Sequence, residues 1–458
     1  MEEMRKRLFE NVAALRSLAE KAGLDRAVIF LLLTRAWQAG AGLVGLLLIS
    51  IFFAPEVQGY YYTFSSLLAL QIFVELALNL IILNLSSHEW SRLRLDASGH
   101  IVGDAAALSR LAWLARFVAK WYSVVSFVFV FGVGIGGYFF LSRAGTADIS
   151  WQAPWWTVVA LAAFQLWLMP LLSLLEGCNQ VVELNRYRLI QAIAEAFTMW
   201  VLLVAGAGLW VAAGSLAVKV AGTLVFLRRR YGRFFRSLRT GAGQARISWR
   251  KQIWPMQWRL AVQGVVVYFS SSLFIPIMFH YHGPKVAGQM GMTLQVVSVV
   301  QMMAMAWVQT KVPQLGALIA RREFAELDTI WWRSSTLSFG FALAGSVAIW
   351  IGILVLRQYD MELASRMLDS LPTGLFLVAN VLMVVGNCQS LYLRAYAREP
   401  FLVVGVLSGL LIGGLVFLFG SQYGPTGAAM AYTAAIGLFV LPMTTMIWKR
   451  RRREWQGR

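Results

Sequence analysis

The sequence predicts an all-α integral membrane protein with about twelve transmembrane helices in two pseudo-symmetric six-helix lobes. Three observations carry this. Of the 458 residues 59% are hydrophobic and only 14% charged, with mean hydropathy +0.63; a soluble domain carries about 25% charged residues, and disorder needs low hydrophobicity. The apolar residues fall into runs of the roughly 20 residues that cross a bilayer. Finally, Lys and Arg are dense in every second loop and sparse in the others.

The runs in chain order are 27–53, 60–85, 111–141, 154–175, 189–206, 208–227, 258–280, 288–310, 331–356, 372–393, 401–420 and 426–448. They are apolar all round, whereas barrel strands alternate over about ten residues. The third is long enough to tilt or project from the bilayer. Between the fifth and sixth only Gly206 and Gly208 mark a turn. With the N-terminus in the cytoplasm, 32 of the 41 Lys and Arg fall on inside segments and 4 on outside loops (Arg143, Lys285, Arg357 and Arg366). Both termini are therefore expected in the cytoplasm of a bacterial inner membrane, and the excess positive charge (+19) reads as membrane topology rather than nucleic-acid binding.

Five regions follow. Residues 1–26 place Met4, Leu8, Val12 and Leu15 on one stripe, an amphipathic helix lying on anionic lipid of the inner leaflet. Residues 27–227 form the N-terminal lobe, 228–257 a basic linker, 258–448 the C-terminal lobe and 449–458 a basic tail. Pro55-Glu-Val57-Gln-Gly59 and Pro284-Lys-Val286-Ala-Gly288 share P-x-V-x-G at an offset of 229, half the chain. An even number of spans per lobe starts both lobes on the same side, so the repeat is parallel.

Motifs for catalysis are missing. The chain has no GxxxxGK[ST] for nucleotide hydrolysis, no zinc spacing around its two cysteines, and no sign of a cofactor. The glycines at 132–137 and Gly409–Gly413 lie inside apolar spans and read as helix-packing surfaces. His280 and His282 read as solvated loop residues, and Cys178 and Cys388 as apolar packing residues.

Ionisable residues inside the spans carry the functional signal, because each costs a few kcal/mol at mid-bilayer and normally faces protein or water. Arg35 lies about 12 Å into the first span, Lys120 about 13 Å into the third with Arg116 one turn before it, and Lys219 about 12 Å from the inner end of the sixth. Arg259 stands at the inner mouth of the seventh. Glu75 is about 15 Å deep in the second span and Glu195 about 9 Å deep in the fifth. Two readings of Glu75 stand: a structural ion pair with Arg35, or an ion-coupling carboxylate, the role also open to Glu195. Five cations against two carboxylates suit an anion such as phosphate or pyrophosphate. Gln38, Gln71, Asn79, Gln263, Asn380 and Asn387 are candidates for reading a sugar.

RAWQAGAGLVGLLLISIFFAPEVQGYYYTFSSLLALQIFVE (35–75), FIPIMFHYHGPKVAGQMGMTLQVV (274–297) and YGPTGAAMAYTAAIGLFVLP (423–442) resemble the polysaccharide-transporter, or O-antigen repeat-unit flippase, branch of the multidrug/oligosaccharidyl-lipid/polysaccharide exporter superfamily. The resemblance covers essentially the whole chain. It implies V-shaped lobes with alternating access and a substrate of lipid-linked oligosaccharide, commonly on undecaprenyl pyrophosphate, moved to the outer leaflet. It implies a transporter, not an enzyme, working beside a polysaccharide polymerase and chain-length machinery. Its cationic cavity corresponds to Arg35, Arg116, Lys120, Lys219 and Arg259. A multidrug exporter of the same superfamily is the alternative, although a cavity for organic cations would be acidic. A membrane glycan polymerase or ligase would need a catalytic outer loop, which 142–153 and 357–371 do not supply.

Overall fold

The computed structural model describes residues 26–75, 78–143, 149–240, 254–396 and 401–456. The amphipathic stretch expected at 1–22 and the later part of the basic linker lie outside them. The architecture is the predicted one: all-α and multi-pass. Among the described residues nine helices are long and apolar enough to cross a bilayer, and a bent pair makes a tenth. Two of these helices contain an interior break, which brings the described spans to twelve.

The first span is Arg26–Phe52. The second begins at Pro55, whose fixed φ suits a first helical turn, and runs through Pro55–Leu68, Gln71–Glu75 and Leu78–Trp90 with a 50° bend before the last segment. The third comprises Ala105–Phe129, a π-helical turn at Val130–Ile135, and Gly136–Ser142. Asp104 caps it by accepting from the Ala106 and Ala107 amides. The fourth is Gln152–Gly177 and the fifth Val181–Val204, which starts a full two turns earlier than its apolar run. Gly206 and Gly208 both take positive φ (70° and 55°), so the turn read from two glycines is a left-handed one that a side chain would strain. The sixth span, Trp210–Thr240, carries helix through the first part of the basic linker.

In the second half, Trp254–Ser271 and the start of Phe274–Gln309 make the seventh span, and a break at Gly283 (φ 86°) starts the eighth at Pro284. Phe324–Gln358 and Ser370–Arg394 are the ninth and tenth. A matching break at Gly424 (φ 65°), again followed by proline, divides Leu402–Ala435 into the eleventh span and the start of the twelfth. The twelfth continues through a π-turn at Ile436–Val440 into Leu441–Gln456. Both breaks are Gly-Pro pairs: glycine supplies the positive φ and proline cannot continue the ladder of the preceding helix. His280 and His282 are a correction to the sequence reading. They sit in the helix before Gly283, and His282 Nε2 is 2.8 Å from the Gly420 carbonyl, joining the two breaks.

The two copies of P-x-V-x-G meet each other. A Cβ on Gly59 would lie 1.9 Å from the Pro284 carbonyl oxygen, and one on Gly288 would lie 2.9 Å from the Gly59 nitrogen. Gln58, buried, donates from Nε2 to the Gly288 and Arg366 carbonyls at 2.9 and 3.2 Å. One turn on, Tyr62 packs over Gly291 and donates to Gln295 Oε1 at 2.8 Å. The repeat is thus the seam between the lobes on the face opposite the termini. Deeper in, Phe73 of the second span packs edge-on against Tyr268 and Phe269 of the seventh.

Glycine-lined helix packing holds each lobe. Gly134 and Gly137 receive the Trp156 and Trp155 rings, and Trp155 donates from Nε1 to the Gly134 carbonyl at 3.0 Å. Gly409 and Gly413 seat Val266 and Phe269 of the seventh span. Cys178 and Cys388 are buried.

Two features at the termini face were not legible. A hairpin, β1 (Leu93–Leu95) paired antiparallel with β2 (Ile101–Gly103), docks on the extension of the sixth span. His100 Nδ1 and the Ile101 amide both meet Ser237 Oγ, and Arg233 donates to the Ser98 carbonyl at 2.9 Å. The basic tail is not a free extension. It is helical to Gln456, and Arg452 and Gln456 converge with Tyr392 on Asp328 of the ninth span.

Candidate substrate cavity

A cavity of about 700 Å³ opens inside the N-terminal lobe among the first, second, fourth, fifth and sixth spans. Apolar residues make much of its wall, with Leu31, Leu68, Leu166, Met169 and Leu172 among them. Against that wall stand three cations, Arg35, Arg188 and Lys219, one carboxylate, Glu195, and the amides Gln38, Gln71, Gln165 and Gln191.

Helix packing explains how these side chains converge. Trp37 of the first span stacks on Phe197 and donates to the Ala192 carbonyl at 3.3 Å, and Asn185 donates to the Ala27 carbonyl at 3.0 Å. The first and fifth spans are therefore locked together along their length, with Arg35 and Glu195 held on the open side. Gln191 bridges to the sixth span through the Lys219 carbonyl at 3.0 Å and Thr223 Oγ1 at 3.2 Å. Tyr187 meets the same hydroxyl at 2.8 Å.

The charges are largely compensated. Lys219 Nζ lies 3.6 Å from Glu195 Oε2, and Arg188 Nη2 lies 2.6 Å from Glu176 Oε2. The Lys219–Glu195 pair is loose and partly solvated, with side chains 39% and 27% exposed, so it is worth at most about 1 kcal/mol to folding. Arg35 is exposed to the cavity and joins no ion pair among the described residues. Gln165 Oε1 is buried without a hydrogen-bond partner among the described residues.

Of the seven predicted site residues, this cavity gathers Arg35, Lys219 and Glu195. The sequence reading gave Lys219 and Glu195 separate roles, and the structure makes them partners. Glu75 faces elsewhere: it accepts a hydrogen bond from Asn79, whose Oδ1 in turn accepts from Tyr122 at 3.1 Å. Of the two readings of Glu75, the ion pair with Arg35 is not present among the described residues. Arg116 and Lys120 are exposed on the third span, outside the cavity lining, and Arg116 Nε turns back to the Ala112 carbonyl at 3.2 Å. Arg259 lies on the helix Trp254–Ser271, and its side chain is outside the described residues. The excess of five cations over two carboxylates therefore shrinks to three cations, two of them paired.

Arg188 was missed because it sits before the apolar run that begins at 189. Helix starting at Val181 carries it into the lobe, and the salt bridge to Glu176, twelve residues earlier, is the signal that contained it.

No family model matches the chain, and no curated protein matches it. Solved structures do. The inward-facing conformation of a multidrug resistance MATE family transporter of the MOP superfamily superposes with a TM-score of 0.63 at 11% identity, covering 94% of this chain and 99% of that one. The lipid II flippase MurJ in an inward closed conformation gives 0.58 at 11% identity, covering 92% and 87%. MATE in a bent conformation gives 0.56 at 12% identity, covering 96% of each chain. Identities this low carry the fold alone. The chain has the two-lobe, all-α membrane fold found in MATE transporters and in MurJ, and the fold does not single out the polysaccharide branch.

Proposed function

We propose that the chain is a flippase that moves an anionic lipid-linked oligosaccharide, on a polyprenyl pyrophosphate carrier, from the inner to the outer leaflet for surface polysaccharide synthesis. The observation that carries this reading is the set Arg35, Arg188 and Lys219 around one roomy, amide-lined cavity whose wall is otherwise largely apolar. Three donors of positive charge in a low-dielectric wall suit a pyrophosphate. Arg35 meets the anion first, because no carboxylate competes for it. Lys219 exchanges Glu195 for the incoming phosphate, and Glu195, so released, is the group that takes up the coupling cation. A solved structure described as a lipid II flippase shares the fold. A membrane potential, negative inside, favours outward movement of the anion by about 2.3 kcal/mol per charge per 100 mV.

The test is leaflet exchange of a fluorescent polyprenyl-pyrophosphate oligosaccharide in proteoliposomes, with and without an imposed potential. Exchange that requires the protein and is lost in Arg35→Ala/Lys219→Ala supports the reading; full exchange in that variant removes the cavity from the reaction. A second reading, multidrug export, draws on Glu195 in the cavity and on the MATE neighbours. A drug-sensitivity panel on an overexpressing strain separates the two: broad resistance without glycan exchange favours export.

A further inference from the structure

The C-terminal lobe holds a second cavity, of about 220 Å³, formed by the seventh, tenth, eleventh and twelfth spans. Under the parallel repeat these are the counterparts of the first, fourth, fifth and sixth, which build the larger cavity. The duplicated lobe has kept the hollow and changed its lining.

On the tenth span Met383, Asn387, Ser390 and Arg394 recur at helical spacing and form one face of the cavity. On the eleventh, Val404, Ser408 and Ile412 line it and are buried, while Val403, Leu407 and Leu410 on the opposite side are 67%, 48% and 59% exposed, as a lipid-facing stripe would be. The hollow therefore faces the lobe interior. Ser270 and Thr444 bring a hydroxyl each from the seventh and twelfth spans. Ser408 is only 8% exposed, and its Oγ has no hydrogen-bond partner among the described residues. An unmatched hydroxyl inside a membrane domain is costly, so a ligand that pairs with it recovers that cost.

Apart from Arg394, which already has a partner and stands at the end of the face, the polar groups are neutral hydroxyls and one amide. Val266, Met383, Phe401, Val404, Ile412 and Val440 make the remaining wall apolar. Hydroxyls and an amide above an apolar floor match a pyranose ring, which has hydroxyl edges and an apolar face. They do not match an organic cation, since no carboxylate lines the space. We propose that this cavity is a neutral-sugar subsite: the N-terminal cavity holds the pyrophosphate, and the C-terminal cavity holds a sugar ring of the same substrate through Asn387, Ser390 and Ser408. The inference rests on the flippase reading for the identity of the ligand.

The test uses the full chain in lipid nanodiscs, titrated calorimetrically with neutral and N-acetylated monosaccharides over the millimolar range, and separately with inorganic pyrophosphate. Asn387→Leu fills the hollow. Asn387→Ala and Ser408→Ala keep the packing nearly intact, in case the leucine disturbs the fold. The expected result is saturable binding of at least one sugar, weakened about fivefold or more in each variant, the worth of one net hydrogen bond, and unchanged in Arg35→Ala. Pyrophosphate should respond in the opposite way. The proposal is overturned if no sugar binds saturably, if sugar binding follows Arg35 instead of Asn387, or if pyrophosphate binding is what Asn387→Ala removes. Sugar binding at Asn387 without leaflet exchange would sink the flippase reading and leave the subsite standing. Exchange with sugar binding indifferent to Asn387 would do the reverse.

Discussion

The two lobes enclose cavities from equivalent spans, yet the N-terminal one is about 700 Å³ with three cations and the C-terminal one about 220 Å³ with hydroxyls and a single arginine at its end. A duplicated scaffold determines where a hollow forms. The few side chains that turn into it determine what it holds. On the proposed reading Arg35 and Lys219 receive an anion in the first, and Ser408 and Asn387 receive uncharged polar groups in the second. The close seat of Val266 on Gly409 narrows the second one.

The largest effect that would break this contrast is on anion binding. Arg35→Ala/Lys219→Ala should lower pyrophosphate affinity by about 100-fold or more, since two charged hydrogen bonds at about 1.5–3 kcal/mol each are lost. Asn387→Ala should leave it unchanged, and calorimetry on the two variants reads both. A comparable loss in both would mean that the cavities are not specialised.

The seam comes next in size. Gly59→Val has no room, because even a Cβ would overlap the Pro284 carbonyl; it should destabilise the chain by about 1–3 kcal/mol, the usual cost of overpacking. Gly132→Ala, with open space around its Cβ, should cost nothing measurable. Thermal unfolding in detergent compares them, and equal midpoints would show that the lobes do not meet through the repeat.

Smaller still is Ser408→Val. Replacing an unpartnered buried hydroxyl by a methyl should leave stability unchanged or raise it by about 1 kcal/mol, while sugar binding falls. A marked loss of stability would mean that the hydroxyl already has a partner.

The smallest effect lies outside the membrane, in the hairpin, which the C-terminal lobe has no copy of among the described residues. Asp96 accepts from the Ser98 hydroxyl and from the amides of His100 and Ser98, which hold its carboxyl below the usual aspartate range. A lowered pKa means that the contribution is present at neutral pH and is lost as pH falls through the folded value. Protection of the Ser98 and His100 amides, taken relative to their intrinsic exchange rate at each pH, should therefore fall under acid and should already be low at neutral pH in Asp96→Ala. Protection that stays constant with pH would show that the turn holds without the carboxylate.

Much of this molecule could be read from the chain. The spans, the turn at Gly206 and Gly208, the helix-packing role of Gly134 and Gly409, and the two-copy P-x-V-x-G all survive in the structure. The site was legible in part. Arg35, Lys219 and Glu195 line one cavity, whereas Glu75, Arg116 and Lys120 lie outside its lining. The hairpin escaped because three-residue strands carry no detectable alternation.

By itself the sequence determined which segments are long and apolar enough to cross a membrane, how far along its span each charge lies and that the chain is built twice, because hydropathy, rise per residue and internal repetition are all readable along one dimension. Only the tertiary structure decided which of those charges share a cavity, which pair off and where the repeats touch. The direction a side chain takes around its helix axis depends on neighbours, and a helix that is apolar all round carries no pattern to announce it.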